Sequence, residues 1–393
     1  MTPGECYRKV LLFEKPDFIP NVEHGAMSPQ VERDWRREGL PAGRSIEEFF
    51  GIPSCNHWSN WINDGHYDPL PGVEGQGWFD RTEDHYQVRD CWGRVTQWYR
   101  RGEEAENNAR RVIRDALQTR EEWEALRTHF DPDHPLRQID NDHDTGGREL
   151  VVPSVVGAPY AFQGVGITSA ALRKARAGGL TLQFNAPSML GSLKEVMGFE
   201  NLCMKIFLER DMVEDLIAAR AEIGARLIER FFAVEPMDIL HFWEDIAFKS
   251  GPLFGPDMLE ALALKHYRRL IDLFKAKGGR IVSVDCDGDI RLLIPVWLKA
   301  GVNFIWPMEA NAGMDVAALR RQYGKTFAML GGIDKLALLK DRDAIDRQLD
   351  RVAPVVADGG YIPMLDHSIP CGVPFERFCY YTGLSQVLSV AEG

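Results

Sequence analysis

Acidic and histidine side chains recur where short apolar runs end in this chain, and at one point they crowd together. Asp285-Cys-Asp-Gly-Asp289 sets three carboxyl groups within five residues, straight after the apolar run Ile281-Val-Ser-Val284. Like charges this close repel unless a cation, a donor or a proton compensates them. The plain alternative is a solvated loop that caps the next helix. His367, inside Leu365-Asp-His-Ser-Ile-Pro370, can act as a proton donor or a ligand, with Asp366 beside it to fix its tautomer. Alone it would be a structural hydrogen-bonding group. Asp285, Asp287, His367 and Glu244 are therefore the candidate catalytic groups. Glu23, His24, Trp243, Glu309 and Cys286 end other runs or adjoin these and are candidate substrate contacts. Cys286 has no histidine near it in sequence to activate it as a nucleophile. Asp315 and Asp334 read as helix caps.

The elements that must hold these groups alternate in type. Asp238–Asp245 reads as a strand, and Pro256 to Lys277 as an amphipathic helix with Leu259, Leu262, His266, Leu270 and Phe274 on one face. Strands follow at Arg280–Asp285, Asn303–Glu309, Thr326–Leu330 and Tyr361–Leu365. Helices fall over Ile290–Ala300, Asp315–Tyr323, Lys335–Val356 with a break near Asp341, and from about Pro374. Val213 to Phe231 marks an earlier helix, and Asp17–Val22 and Leu150–Val155 are expected as earlier strands. Five βα units in a row demand a parallel sheet. No GxGxxG follows a strand and no GxxxxGK[ST] is present, which removes the usual support for an open nucleotide-binding sheet. The expectation is an α/β fold, a (β/α)8 TIM barrel, in which catalytic groups sit at the C-terminal ends of the strands. Residues 1–150 hold seven of the ten tryptophans and are read as an elaborated, Trp-rich N-terminal strand-and-lid region. Residues 151–393 are the main run of units, in one domain. Those tryptophans read as packing before they read as a cofactor cage.

Composition sets outer limits. The chain has 393 residues, a formal charge of −12 and 45% apolar residues, as an ordinary globular enzyme does. An acidic balance argues against general binding to nucleic acid or anionic membrane. No apolar run reaches the roughly 18 residues of a membrane span. Seven scattered cysteines without a CxxC pair point to a reducing cytoplasm. A homodimer is the default expectation for assembly.

Longer phrases carry a family resemblance. Glu195-Val-Met-Gly-Phe-Glu-Asn-Leu202, Glu244-Asp-Ile-Ala-Phe-Lys-Ser-Gly-Pro-Leu-Phe254, Val284-Asp-Cys-Asp-Gly-Asp-Ile290, Gly301-Val-Asn-Phe-Ile-Trp-Pro-Met-Glu309, Gly331-Gly-Ile-Asp334 and Leu365-Asp-His-Ser-Ile-Pro370 resemble the uroporphyrinogen decarboxylase superfamily. The resemblance implies the barrel, with the site at its C-terminal mouth. One branch decarboxylates a polycarboxylated tetrapyrrole and uses N-terminal arginines to hold its carboxylates. Here that stretch reads Ile19-Pro-Asn-Val-Glu-His-Gly-Ala26, with Glu23 and His24 in place of cations. The other branch comprises methyltransferases and O-demethylase components that work with corrinoid proteins. Several of these hold zinc through His-x-Cys-Gly and a later cysteine; Asp285, Asp287 and His367 stand at those three positions here. The resemblance therefore implies a harder donor set, for zinc or another divalent ion, and a methyl-bearing substrate (methoxy or methylamine). The corrinoid would come on a partner protein. A cofactor-independent decarboxylase and a catalytically idle binding protein are the alternatives.

Overall fold

The computed structural model describes residues 1–23, 29–52, 57–59, 77–100, 110–134, 137, 139, 150–152, 160–162 and 169–390. Its centre is a seven-stranded parallel sheet. The strands are β1 (His57–Ser59), β2 (Thr181–Ala186), β3 (Ile239–Trp243), β4 (Ile281–Asp285), β5 (Phe304–Met308), β6 (Ala328–Ile333) and β7 (Tyr361–Leu365), each paired in parallel with the next. Parallel neighbours need long crossovers, and helices supply them. The longest are Arg210–Val234 before β3 and Pro256–Ala276 before β4. Among the described residues no pairing joins β7 back to β1, so the ladder is compatible with a TIM barrel without being closed.

Both faces of the sheet are covered, and alternation along each strand sorts the residues. Leu240, Phe242, Val282, Val284, Ile305 and Met329 join the large core beneath the helices. Ile239, Ile281, Phe304, Ala328, Leu330, Ile362 and Met364 form a second cluster on the other face, together with Tyr7, Val10 and Leu11. Those last three lie on the Pro3–Leu11 helix, which is nucleated by a capping box between Thr2 and Glu5. That helix plugs the end of the sheet where the strands begin.

Several expected elements need correction. Asp17–Val22 is not a strand; Ile19 and Val22 pack against the inner cluster from an irregular segment. Leu150–Val152 does form a strand, but it pairs antiparallel with Tyr160–Phe162 and stays outside the parallel sheet. Pro153 to Val155 lie outside the described residues. Thr181–Ala186 is a strand that the sequence reading passed over, because its polar Thr181, Gln183 and Asn185 face the interior. Pro295 sits in the first turn of the Ile294–Ala300 helix, where its missing N–H costs nothing. The expected break near Asp341 is real: a 3-10 turn over Lys335–Leu339 precedes a helix capped by Asp341.

The N-terminal third adds a four-stranded antiparallel sheet spanning Gly77 to Arg114. Trp35, Trp92, Trp98 and Trp123 are buried in packing. Trp61 lies outside the described residues, as does the side chain of Trp58. Among the described residues, no helix is long and apolar enough to cross a membrane.

Glu23 ties the irregular N-terminal segment to the sheet. Its carboxyl accepts from the backbone N–H of Leu365 at 3.1 Å and from the Tyr381 hydroxyl, with only 4% of the residue exposed. Burial pushes this carboxyl up to about 8, and the nearby Asp366 adds to the rise. The unfolded chain releases that proton near pH 4.3, so the native contribution is intact below that pH and is lost as pH rises through 8. Urea unfolding of the wild type should therefore weaken between pH 5 and pH 8. Glu23→Gln, whose amide can keep both bonds, should abolish about 2–4 kcal/mol of that slope. An unchanged slope would refute the assignment.

Candidate active site

Strand alternation decides which of the strand-end residues can meet. Ser283 and Asp285 share the inner face with Ile281, His241 and Trp243 share it with Ile239, and Trp306 shares it with Phe304. In the ladder, Asp285 is in register with Trp243 on one side and with Trp306 on the other. Burial drives the Asp285 carboxyl well above the usual carboxylate range, and the charges of Asp287 and Asp245 drive it further. That direction favours the protonated form and suits Asp285 to proton donation.

Asp287 follows on the loop, and its Oδ2 lies 3.5 Å from Nε2 of His367. Both side chains are half-buried. The structure therefore brings Asp285, Asp287 and His367 to one mouth, as the sequence suggested. The expected partner of His367 was Asp366, and that is corrected. Asp366 is fully buried and accepts instead from the backbone N–H groups of Lys335 and Asn311, at 3.0 and 3.4 Å.

The loop itself is clamped from several sides. Glu309 accepts the Gly288 N–H at 2.8 Å, and the Asp289 N–H donates to the Phe248 carbonyl at 2.9 Å. Gly288 has φ +89°, and a Cβ there would meet backbone atoms of Ala247 and Phe248 at 2.8 Å. Asp289 is held by Arg291 at 2.6 Å, which leaves it the plain loop role. Glu309 accordingly positions the acidic loop. Trp243 is half-buried at the rim, with the Lys194 ammonium 5.5 Å over its ring. Lys194 also pairs with Asp245 at 2.9 Å. Sequence reading missed Lys194, which precedes its partner by 51 residues and has no motif around it. Asp315 and Asp334 cap helical turns as expected.

Two candidates turn away from the mouth. Glu244 and Cys286 each follow an inward-facing residue, so the pleat sends them outward. Glu244 is 0% exposed, and its carboxyl accepts from Ser188 Oγ (3.2 Å), from the N–H groups of Met189, Leu190 and Gly191 (2.7, 3.0 and 3.0 Å) and from the Tyr267 hydroxyl (2.5 Å). With those acceptor positions taken, it organises the N-terminus of the Gly191–Met197 helix. Cys286 is buried, accepts the Ile246 N–H at 3.2 Å, and has its thiol pushed up by burial. Glu23 is the buried tie described above, and His24 lies outside the described residues.

Among the described residues, no three histidine, cysteine, aspartate or glutamate side chains gather closely enough to hold a metal ion. Asp285, Asp287 and His367 as placed therefore do not form the expected donor set. Cavities of about 470 and 370 Å³ open at the opposite end, where the strands begin, and touch none of these residues.

Glu244→Ala should cost about 3–5 kcal/mol, because it orphans three buried backbone donors and a tyrosine hydroxyl at once. Equilibrium urea denaturation reads this directly, and a loss below about 1 kcal/mol would return Glu244 to the list of dispensable side chains.

No curated protein sequence matches the chain. Among solved structures it is similar to a methyltransferase from Methanosarcina mazei, at 10% identity, covering 100% of this chain and 97% of that one, with a TM-score of 0.48. It is also similar to a B12-independent methionine synthase from Shewanella sp. W3-18-1 in complex with selenomethionine, at 14% identity, covering 62% of this chain and 74% of that one, with a TM-score of 0.34. The family model described as uroporphyrinogen decarboxylase (URO-D) matches residues 148–382. That span takes in β2 to β7 and the loops bearing Asp285, Asp287 and His367, and the chain belongs to the uroporphyrinogen decarboxylase family.

Proposed function

We propose that this protein is a methyltransferase of that family, which activates a small methyl-bearing substrate, methoxy or methylamine, at the C-terminal end of the sheet. The observation that carries the reading is the convergence there of Asp285, whose proton affinity is raised by burial and by the charges of Asp287 and Asp245, with the Asp287–His367 pair. A methyl group leaves an ether or amine slowly until the heteroatom receives a proton. Asp285 is the group that supplies it, and His367, steadied by Asp287, orients the heteroatom and exchanges protons with solvent. The methyl group passes to a two-electron nucleophile, the bond from methyl to heteroatom breaks, and the heteroatom leaves with the proton. A corrinoid on a separate partner protein would supply that nucleophile. Trp243 and Trp306 flank the acid and limit access of water.

The charge at the mouth supports the same reading over decarboxylation of a polyacid. Lys194 and Arg291, two cations beside these strand ends, are already paired with Asp245 and Asp289. Holding several substrate carboxylates would require unengaged cations.

The reaction is tested by mixing the protein with a reduced corrinoid protein and a panel of methoxyarenes and methylamines, following methylation of the corrinoid by absorbance. Asp285→Asn and His367→Ala should each lower kcat/KM by about 10²–10⁴-fold, the range of a lost general acid. Carbon dioxide release from a carboxylic acid substrate, without any corrinoid, would replace methyl transfer by decarboxylation.

A further inference from the structure

We infer that Asn311 is a positioning residue: through the turn Ala310–Ala312 it holds His367 at its distance from Asp287, so that one short element fixes both members of the pair. The inference deepens the proposed function, and rests on it for what the pair does in the reaction.

Asp287 and His367 lie on the loops after β4 and β7, and β5 and β6 stand between those strands in the sheet. Strand pairing fixes the two chains only as far as Asp285 and Leu365. Beyond those points each partner is carried by its own irregular segment. A contact of 3.5 Å between them therefore needs a tie that spans two strands.

The loop after β5 supplies it. Its 3-10 turn over Ala310–Ala312 is closed by the N–H groups of Ala312 and Gly313, which donate to the carbonyls of Glu309 and Ala310 at 3.0 Å each. On one side Glu309 accepts the N–H of Gly288, the residue after Asp287, at 2.8 Å. On the other side Asp366, the residue before His367, accepts from both the backbone N–H and the side-chain amide of Asn311, at 3.4 Å each. The Lys335 N–H holds the second oxygen of Asp366 at 3.0 Å. The chain next to each partner is thus anchored to the same turn, at positions two residues apart.

An asparagine suits this place by its chemistry. Asn311 Nδ2 also donates to Asp334 Oδ1 at 2.7 Å. A primary amide nitrogen carries two protons, and here they serve two different carboxyl groups. Those acids follow β6 and β7, and the charge of Asp334 bears on Asp366. Alanine at 311 would leave only the 3.4 Å backbone bond between the turn and Asp366. Aspartate would add a third carboxyl group to the other two. An error of about 1 Å in a catalytic pair can cost about 10²-fold in rate, so a tie of this kind acts on the reaction without touching the substrate.

Three measurements on the full chain test this. Hydrogen exchange of the wild type should show the amides of Gly288, Asn311 and Lys335 protected and released together in one opening. Free exchange of Gly288 beside a protected Asn311 would separate the two arms and overturn the inference. In a ¹H–¹³C spectrum of histidine-labelled protein, Asn311→Ala should move the His367 ring signal, and should move it far less when Asp287 is already alanine. Equal movement in both backgrounds, or none in either, would also overturn it. In the corrinoid methylation assay, Asn311→Ala should lower kcat/KM by about tenfold and add nothing to the loss caused by His367→Ala. Additive losses would reduce Asn311 to a support of the fold. The exchange experiment uses unaltered protein, so it decides the matter even where a variant fails to fold. Exchange and ring signal need no turnover, so a coupled turn in a protein that transfers no methyl group would overturn the proposed function and leave the positioning role standing.

Discussion

A parallel strand covered on both sides has no solvent face, and each residue must commit either to the helices or to the interior. That two-residue alternation governs the molecule. It sends Val282, Val284 and Cys286 into the core below the helices while Ile281, Ser283 and Asp285 face inward. Acids that are neighbours in sequence are thereby assigned to different tasks. Asp285 joins the mouth, and Glu244, one step past the inward Trp243, is drawn into the backbone of the loop after β2. There it satisfies the donors of three consecutive residues, so the helix that follows starts from a fixed point. A Cβ on Gly191 would come within 1.8 Å of the Glu244 carbonyl oxygen, which shows how closely the two segments approach.

Crowding of charge at the inner end follows from the same sorting. Asp245, Asp285 and Asp287 are close enough to raise the proton affinity of the most buried of them. Their repulsion is met in different ways: Lys194 pairs with Asp245, His367 lies against Asp287, and the proton affinity of Asp285 rises. An acid and an ion-pairing carboxylate two residues apart are the kind of divergence that separates proton donors from orienting groups. The excess of acids in the chain is therefore partly a property of the site and only partly of the surface.

The sequence made the helix-and-strand rhythm from Ile239 onward legible, because amphipathic helices and apolar strands differ in period and Gly or Pro marks their ends. It also made the cluster of Asp285, Asp287 and His367 legible through their position at strand ends. Four things were hidden. Thr181–Ala186 alternates polar and apolar residues, which reads as a half-exposed edge, although its polar side faces the interior. Asp17–Val22 has the composition of a strand but reaches the sheet only through packing and the Glu23 tie. Glu244 and Cys286 stand beside the right residues, yet nearest neighbours on a strand point in opposite directions. Lys194 and the ties made by Glu309 and Asn311 depend on residues far apart in sequence, for which local patterns carry no signal.

The Pro3–Leu11 helix has a consequence for how the chain is made. Its apolar face is seated by residues from β3 to β7, the last of which, Ile362 and Met364, are synthesised long after the helix itself. On the ribosome this segment must wait, with Tyr7, Val10 and Leu11 uncovered, while most of the chain emerges. Long-range closure of this kind slows folding and prolongs the exposure of sticky surface. Residues translated well before the strands are thus among the last to find their place, and the inner cluster is completed by a segment that precedes the sheet.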